Sequence, residues 1–234
     1  MEGASVTPTC ILLDLDGTLV DSAAGIAASI VVALKEIGVP LPDGGTLLSF
    51  IGPPMYQSFR SVLGLDESTA SRALQLYRAA YVERGALNSR LYDEVPALLE
   101  TLAAAGFPMA VATSKVEHQA ERIIEHYGLT EHLVTVCGTS DGAGRSTKRD
   151  VIRECLLRLR AQGIDTSRPL MVGDRGYDVQ SAAAEGIPAI RVLWGYGAPV
   201  ESTGAYATAE SPRALAQMLV SPREPKDLVS HPCS

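Results

Sequence analysis

Lysine is scarce in this chain: of 234 residues only four are lysines, against sixteen arginines, and the formal net charge is −7. The sequence contains no run that is rich in lysine or arginine. Because contacts to a nucleic-acid backbone need clustered cations, an acidic chain of this kind is a poor nucleic-acid binder. We therefore expect no nucleic-acid partner.

Cysteine and long apolar runs are also in short supply. The four cysteines lie far apart without a C-x-x-C spacing, which disfavours both a disulfide scaffold and a zinc site. The N-terminus has neither the basic nor the apolar region of a signal peptide, and no apolar stretch approaches the ~18 residues that span a bilayer. We expect a cytoplasmic, globular protein with no membrane partner, whose core draws on the 46% of residues that are hydrophobic.

What is present is an alternation of short apolar runs with helical patterns. The apolar runs, expected to be buried strands, cover 10–13, 107–113, 133–137, 170–172 and 189–193. The helical patterns, each followed by a glycine, cover 94–105, 116–127, 148–161 and 176–185. Strands that alternate with helices predict βαβ units, and therefore an α/β fold with a parallel sheet.

Only helical patterns occur between the first two expected strands. Apolar residues at helical spacing indicate helices around 26–37, 47–51, 55–63 and 68–85. We therefore expect a helical insertion over residues 23–88, within a core formed by residues 1–22 and 89–220. Residues 221–234 contain three prolines and little periodicity, which predicts a flexible tail.

Polar groups follow the first two expected strands at the point where each strand ends. Asp14 and Asp16 come directly after the first strand, and Gly17 lets the chain turn tightly there. Thr113 and Ser114 end the second strand. Because ligands bind at the carboxyl edge of an open α/β sheet, we expect these groups to form one site. One carboxylate of an aspartate pair can act as a nucleophile while the other serves as acid and base.

Two further features occupy comparable positions. Lys148 opens an expected helix after a loop rich in glycine and serine. Gly173 and Asp174 end the fourth strand, and Asp178 lies in the first turn of the next helix. This second segment repeats the arrangement of strand, carboxylate and turn that begins at Asp14.

Taken in order, these features resemble the four motifs of the haloacid dehalogenase superfamily of phosphatases. The matching residues are Asp14 to Thr18 for DxDGT, Thr113 for the strand-ending Ser or Thr, Lys148 for the third motif, and Gly173, Asp174 and Asp178 for GDxxxD. The helical insertion resembles the α-helical C1 cap of that superfamily. The resemblance implies a Rossmann-like three-layer core with a parallel sheet, carrying an inserted α-helical cap.

The resemblance also implies a Mg²⁺-dependent phosphomonoester phosphatase that acts through an aspartyl-phosphate. Asp14 would be the nucleophile, and Asp16 would protonate the leaving oxygen and then activate water. Mg²⁺ would be held by Asp14, by the backbone carbonyl of Asp16 and by Asp174. Asp178 would either ligate the metal or support the residues that do.

A further set of residues is expected to contact the phosphate: Gly17, Thr18, Thr113, Ser114 and Lys148. Thr113 and Lys148 would also be catalytic, because they hydrogen-bond or neutralise the group being transferred. Lys115, two residues after Thr113, competes for the role of Lys148. We favour Lys148 because it falls in the expected interval before the fourth motif.

The helical insertion is expected to choose the substrate, because the core contacts only the phosphate and the metal, which all phosphomonoesters share. Gly52 and Pro53 belong to a stiff Gly-Pro-Pro loop that is similar to the cap loop of phosphoglycolate phosphatases and 5′-nucleotidase-like proteins. Arg60, on the next helix, is a further candidate. The expected partner is a small phosphorylated metabolite, phosphoglycolate-like or nucleotide-like. No sequence pattern indicates an oligomeric state.

Two alternatives to hydrolysis stay open. Dehalogenation is not one of them, because dehalogenases of this superfamily lack the second aspartate, here Asp16. A phosphomutase of the β-phosphoglucomutase type shares the aspartate pair and the helical cap, but its fourth motif usually carries Glu-Asp where this chain has Gly173 and Asp174. A catalytically silent binding or regulatory protein is the minor alternative, since every motif position carries the expected residue type.

Overall fold

The computed structural model describes residues 7–85 and 87–220. Its strands are β1 (Cys10–Leu13), β2 (Val20–Asp21), β3 (Arg90–Leu91), β4 (Met109–Val116), β5 (Thr135–Thr139), β6 (Pro169–Gly173), β7 (Ala189–Val192) and β8 (Ala207–Ala209). Its α-helices are α1 (Ala23–Glu36), α2 (Gly44–Ser49), α3 (Met55–Ser61), α4 (Glu67–Ala80), α5 (Val95–Ala104), α6 (Glu117–His126), α7 (Lys148–Ala161), α8 (Gly176–Ala183) and α9 (Pro212–Val220). A π-helical turn, Tyr81–Gly85, continues α4.

Six parallel strands form the central sheet, in the order β5-β4-β1-β6-β7-β8. β1 lies inside the sheet, where Leu12 is paired with Ala110 of β4 and with Met171 of β6. All of β1 is buried, because helices cover both faces of the sheet, and this is why the strand reads as a continuous apolar run. The expected α/β fold with a parallel sheet is confirmed.

Side chains that alternate along β1 build two hydrophobic cores. Ile11 and Leu13 belong to the core that also contains residues of α5, α6 and α9. Cys10 and Leu12 belong to the core that contains residues of α7 and α8. Helices on one face, the sheet, and helices on the other face form the three layers that the resemblance implies.

Helices α1 to α4, the loops that connect them and the π-helical turn, which together we call the helical insertion, form a third hydrophobic cluster. Ile26, Ile30 and Leu34 of α1 are buried in it, at the helical spacing seen in the sequence. The rings of Phe50 and Phe59 meet edge to face, with their centroids 5.5 Å apart. The helical insertion thus packs around side chains of its own.

A two-stranded antiparallel ribbon joins the helical insertion to the sheet. Val20 of β2 is paired with Leu91 of β3, and Asp21 is paired with Arg90. The Arg90 Nε and Asp21 Oδ2 atoms lie 3.2 Å apart. The chain therefore leaves and re-enters the core side by side. The sequence did not predict this ribbon, because two-residue strands are too short to show periodicity.

The end of β4 differs from the sequence-based expectation in its length and in its pairing with β5. The strand continues to Val116, beyond the expected end at Thr113. Its pairing with β5 shifts register between Ala112 and Val116, which marks a bulge. The bulge falls on three residues of the sequence-predicted site region.

Other differences are smaller. β5 begins at Thr135, two residues later than expected, because the preceding Thr130–His132 segment forms a 3₁₀ turn. β8 and α9 follow β7 and were not predicted. The expected tail, residues 221–234, lies outside the described residues. Within residues 7–85 and 87–220, no helix combines the length and apolar character needed to cross a membrane.

Candidate active site

The candidate site begins where β1 ends. Asp14 follows β1 directly, and its backbone N–H donates to the Val172 carbonyl of β6 at 2.8 Å. The chain then turns at Gly17, whose φ of +83° lies in the left-handed region. A Cβ atom added at Gly17 would come closer than 3.0 Å to the Asp174 carboxylate. Only glycine therefore lets these two segments approach so closely.

The bulge in β4 carries the second group of site residues. Thr113, Ser114 and Lys115 lie within it, and Thr113 and Lys115 are buried. The Lys115 backbone N–H donates to Thr113 Oγ1 at 3.3 Å. Ser114 Oγ is buried without a hydrogen-bond partner among the described residues. Because a bulge changes the direction of successive side chains, all three residues reach the same cavity.

Lys148, the first residue of α7, points into the site rather than into solvent. Thr147 caps the helix: its Oγ1 accepts the Asp150 N–H at 3.2 Å, and its own N–H donates to Asp150 Oδ2 at 3.1 Å. Lys148 Nζ lies 2.6 Å from Asp14 Oδ1 and 2.7 Å from Asp178 Oδ1. The residue is only 1% exposed. Lys148 thus contacts the carboxylate that we expect to be the nucleophile.

The end of β6 brings two further carboxylates. Asp174 follows Gly173 directly, and Asp178 lies in the first turn of α8, where its Oδ2 accepts the Arg175 N–H at 3.1 Å. Asp174 Oδ2 accepts the Tyr196 N–H at 2.7 Å. Asp174 Oδ1 is buried and finds no hydrogen-bond partner within the described part of the chain. Such a buried oxygen needs a partner that the described residues do not supply.

Three carboxylates are arranged so that they can share a cation. Oxygen atoms of Asp14, Asp174 and Asp178 all lie within 4.8 Å of one another, and the three residues are buried. Burial, together with the carboxylates of Asp178 and Asp14, raises the pKa of Asp174 well above its usual value. A buried set of oxygen ligands suits a hard divalent cation such as Mg²⁺. The residues present therefore fit the metal that the motif resemblance implies.

The site is also short of positive charge. Its buried carboxylates are Asp14, Asp16, Asp174 and Asp178, and its buried ammonium groups are Lys115 and Lys148. Burial raises the pKa of Asp14 to about 6, and although Lys148 opposes this shift, the Asp178 carboxylate adds to it. Burial alone would lower the pKa of Lys148, but Asp14 and Asp178 raise it above its ordinary value, so the ammonium stays charged. One divalent cation would offset negative charge that the two ammonium groups leave unpaired.

A cavity of about 440 Å³ lies between the strand ends and the helical insertion. Its lining includes Asp14, Asp16, Thr113, Ser114 and Lys115 on one side and Gly52, Pro53, Met55, Leu74 and Tyr77 on the other. Gly52 and Pro53 therefore lie where a substrate-facing loop is expected. Arg60 does not: its Nη1 donates to the Leu65 carbonyl at 2.7 Å, and the residue is exposed.

Three of the expected phosphate contacts are not among the residues that line this cavity: Gly17, Thr18 and Lys148. Gly17 packs against Asp174, and Lys148 contacts Asp14. Thr18 is buried, and its carbonyl accepts the Trp194 Nε1–H at 3.0 Å. Direct contact between these three residues and a phosphate stays a prediction.

The haloacid dehalogenase-like hydrolase family matches this chain over residues 11–192. The matched segment includes most of β1, the helical insertion, Lys148 and the strand end at Asp174, which are the elements that build the site. The chain belongs to the haloacid dehalogenase-like hydrolases.

Known proteins and structures are similar to this family member over most of its length. Tyrosine-protein kinase PtkA of Mycobacterium tuberculosis is 44% identical over 191 residues, which cover 82% of this chain and 64% of PtkA. A 5′-nucleotidase of Pseudomonas aeruginosa is 36% identical over 201 residues, covering 86% of this chain and 90% of that protein. The crystal structure of a predicted phosphatase from Clostridium acetobutylicum aligns with a TM-score of 0.84 at 35% identity, covering 92% of this chain and 99% of that one.

One contact in this haloacid dehalogenase-like site was not predicted from the sequence. The sequence offers both Lys115 and Lys148 for the phosphate-binding role, and in the structure both residues are buried in the site. Lys115 Nζ lies 2.9 Å from Asp16 Oδ2 and donates to the Tyr81 hydroxyl at 2.6 Å. Tyr81 is 34 residues away from Lys115, in the helical insertion, and no local pattern connects the two.

Tyr196 makes a second unpredicted connection. Its hydroxyl accepts the N–H groups of Ser22 at 2.7 Å and Ala23 at 3.1 Å, and it donates to Asp21 Oδ1 at 2.8 Å. Its backbone N–H donates to Asp174. Tyr196 therefore joins the start of α1, where the helical insertion begins, to a carboxylate of the candidate metal site.

Proposed function

We propose that this hydrolase is a Mg²⁺-dependent phosphomonoester phosphatase that forms an aspartyl-phosphate on Asp14. The surroundings of Asp14 carry the proposal. Lys148 Nζ lies 2.6 Å from Asp14 Oδ1, and oxygens of Asp14, Asp174 and Asp178 lie within 4.8 Å of one another. A carboxylate placed between a buried ammonium and a cation-binding group can meet a phosphate dianion that it would otherwise repel.

In the first step, an Asp14 oxygen attacks phosphorus, so that the new O–P bond forms and the ester P–O bond breaks. Asp16 gives its proton to the departing oxygen, and the alcohol leaves uncharged. Thr113 and Ser114, at the cavity wall, offer hydroxyl groups to the phosphate oxygens. Lys148 holds Asp14 in place and offsets its charge.

In the second step, water attacks the phosphorus of the aspartyl-phosphate. Asp16, left as a carboxylate by the first step, takes a proton from this water. The bond between Asp14 and phosphorus breaks, which releases inorganic phosphate and restores both residues. Mg²⁺, held by the carboxylates of Asp14, Asp174 and Asp178 and the backbone carbonyl of Asp16, would supply positive charge near the phosphate oxygens.

We propose a small phosphorylated metabolite as the substrate. The cavity of about 440 Å³ is within the range of roughly 300–1,000 Å³ that is typical of small-molecule sites. The helical insertion lines it with apolar and aromatic side chains, among them Phe50, Met55 and Tyr77. The similarity to a 5′-nucleotidase supports a nucleotide-like substrate. The Gly-Pro-Pro loop, which is similar to the cap loop of both phosphoglycolate phosphatases and 5′-nucleotidase-like proteins, supports a substrate of either class.

Phosphate release from a panel of phosphorylated metabolites, with and without Mg²⁺, tests the proposal. We expect release that requires the metal and that falls by at least about a thousandfold in Asp14→Asn, because the nucleophile is lost. Asp93→Asn, the same change at an exposed residue, is the matched control. Release without metal, or undiminished release in Asp14→Asn, would contradict the mechanism. Interconversion of sugar phosphates with little free phosphate would support the phosphomutase alternative instead.

A further inference from the structure

Lys115 is a buried cation for which the proposed mechanism has no use. Its Nζ lies 2.9 Å from Asp16 Oδ2 and 2.6 Å from the Tyr81 hydroxyl oxygen. The same nitrogen lies 4.4 Å from the centroid of the Tyr81 ring. A charged group held this firmly beside an acid/base carboxylate calls for an explanation.

The two oxygens of Asp16 have different surroundings. Oδ2 is paired with Lys115, whereas Oδ1 is buried and has no hydrogen-bond partner in the part of the chain that the structure describes. Asp16 also lines the cavity. The carboxyl group is therefore anchored through one oxygen, while the other is left for a group that enters the cavity.

Tyr81 reaches Lys115 from the helical insertion. It is fully buried at the start of the π-helical turn, and its ring stacks on Tyr77 with the centroids 5.6 Å apart. π-Helical turns are frequent at functional sites, where they change the direction of a side chain. Tyr77, in α4, lines the cavity. The helix that carries Tyr81 at its end therefore also faces the space where the leaving group would lie.

We propose that Lys115, supported by Tyr81, is a positioning residue that fixes Asp16 Oδ2 and thereby presents Oδ1 to the leaving-group oxygen. The inference rests on the proposed phosphatase function. The contact holds one oxygen of Asp16 before the substrate binds, so less conformational freedom is lost when the other oxygen meets the leaving-group oxygen. Positioning of this kind raises the rate of proton transfer although Lys115 itself does not touch the substrate.

The rival role for Lys115 is direct binding of the substrate's phosphate. The two roles differ in how they depend on the leaving group. The 4-nitrophenolate ion departs without a proton, whereas an alkoxide needs one from Asp16. Loss of a phosphate-binding cation would slow both classes of substrate equally, and loss of a positioning contact to Asp16 would slow the alkyl phosphates more.

The test compares Lys115→Met with the wild type on 4-nitrophenyl phosphate and on alkyl phosphates, including phosphoglycolate and a nucleoside 5′-monophosphate. The readout is kcat/KM, because it reports the transfer of the phosphoryl group to Asp14, before the hydrolytic step that all substrates share. We expect the fold-loss to be about ten times larger for the alkyl phosphates. Tyr81→Phe keeps the Lys115 ammonium and the aromatic ring but removes the hydroxyl group. In this variant we expect the fold-loss to be about three times larger for the alkyl phosphates than for 4-nitrophenyl phosphate.

Two controls separate the possible outcomes. Lys35→Met makes the same change at an exposed position of α1 and should leave both rates unchanged. In an Asp16→Asn background, Lys115→Met should add no further dependence on the leaving group. Equal losses for the two substrate classes, or a dependence that persists without Asp16, would overturn the role of Lys115. If Lys115→Met does not fold, Tyr81→Phe alone tests the inference. An unchanged ratio of kcat/KM for alkyl phosphates to kcat/KM for 4-nitrophenyl phosphate in that variant would overturn it. A wild type that releases phosphate from no alkyl phosphate would instead contradict the proposed function.

Discussion

Lys148 Nζ and Asp14 Oδ1 lie 2.6 Å apart, although the two residues are separated by 134 positions in the chain. The same nitrogen lies 2.7 Å from Asp178 Oδ1, so one ammonium links Asp14, at the end of β1, to Asp178, in the first turn of α8. Lys148 is 1% exposed, and this ion pair is therefore barely screened by solvent. The arrangement gives Lys148 a supporting place beside Asp14, the proposed nucleophile, in addition to any contact with phosphate.

Replacing Lys148 should abolish most of the activity. In Lys148→Met, Asp14 and Asp178 lose their shared cation, and Asp14 meets the phosphate with less opposing charge. We expect kcat/KM for phosphate release to fall at least about a hundredfold on every substrate, whatever its leaving group. Lys35→Met, at an exposed position, is the control. Retained activity in Lys148→Met would instead assign the phosphate-binding role to Lys115, the other lysine that the sequence offers for it.

Binding of Mg²⁺ should stabilise the folded protein. A ligand that binds only the folded state at about 100 times its Kd adds roughly 2.7 kcal/mol to the free energy of unfolding, which for this size corresponds to roughly 5 °C or more in Tm. Asp174→Asn removes one of the three clustered carboxylates and should abolish this shift. Thermal unfolding with Mg²⁺ and with a chelator measures the effect. An equal Mg²⁺ shift in Asp174→Asn would place the metal elsewhere.

The position of the main site residues follows from elementary properties of a parallel sheet. A strand buried on both faces is a short apolar run, and the carboxyl ends of parallel strands meet at one edge. Asp14, Thr113 and Asp174 each follow such a run, and β1, β4 and β6, which carry them, are neighbours in the sheet. Their shared edge was predictable for that reason, while their catalytic roles stay proposals.

Other features of the candidate site depend on contacts between distant residues, which no local sequence pattern encodes. The meeting of Lys115 with Tyr81 requires the β4 bulge, the π-helical turn and the return of the helical insertion onto the sheet. Tyr196 lies in a loop, where hydrogen bonds to Ser22 and Asp174 leave no periodicity in the sequence. The boundaries of the insertion, 23–88, also stay a prediction.

Gly17 offers a steric test of the site. In Gly17→Ala, the new Cβ would lie closer than 3.0 Å to the Asp174 carboxylate, in a backbone conformation with φ of +83°. Gly38→Ala is the matched control, because φ there is +69° but the structure's described residues place no atom within 4 Å of the new Cβ. We expect Gly38→Ala to lower the free energy of unfolding by about 1 kcal/mol and Gly17→Ala by about 2–3 kcal/mol. Urea unfolding measures both, and equal losses would show that Asp174 moves aside at no cost.

Glu117 should make stability depend on pH. Burial would raise the pKa of Glu117, but the Gly138 N–H at 3.1 Å and the guanidinium groups of Arg158 and Arg145 lower it below its usual value. Because the pKa is lower in the folded state, ionised Glu117 stabilises the fold above its unfolded pKa of about 4.3, and this contribution disappears as the pH falls through the folded pKa. Glu117→Gln should therefore lower the free energy of unfolding by about 1 kcal/mol at neutral pH. The difference from the wild type should shrink as the pH falls below the unfolded pKa of about 4.3 and through the lower folded pKa. Glu121→Gln, at an exposed position of the same helix, should show neither effect. If the free energy of unfolding of Glu117→Gln differs from that of the wild type by the same amount at every pH, ionisation of Glu117 does not contribute to stability.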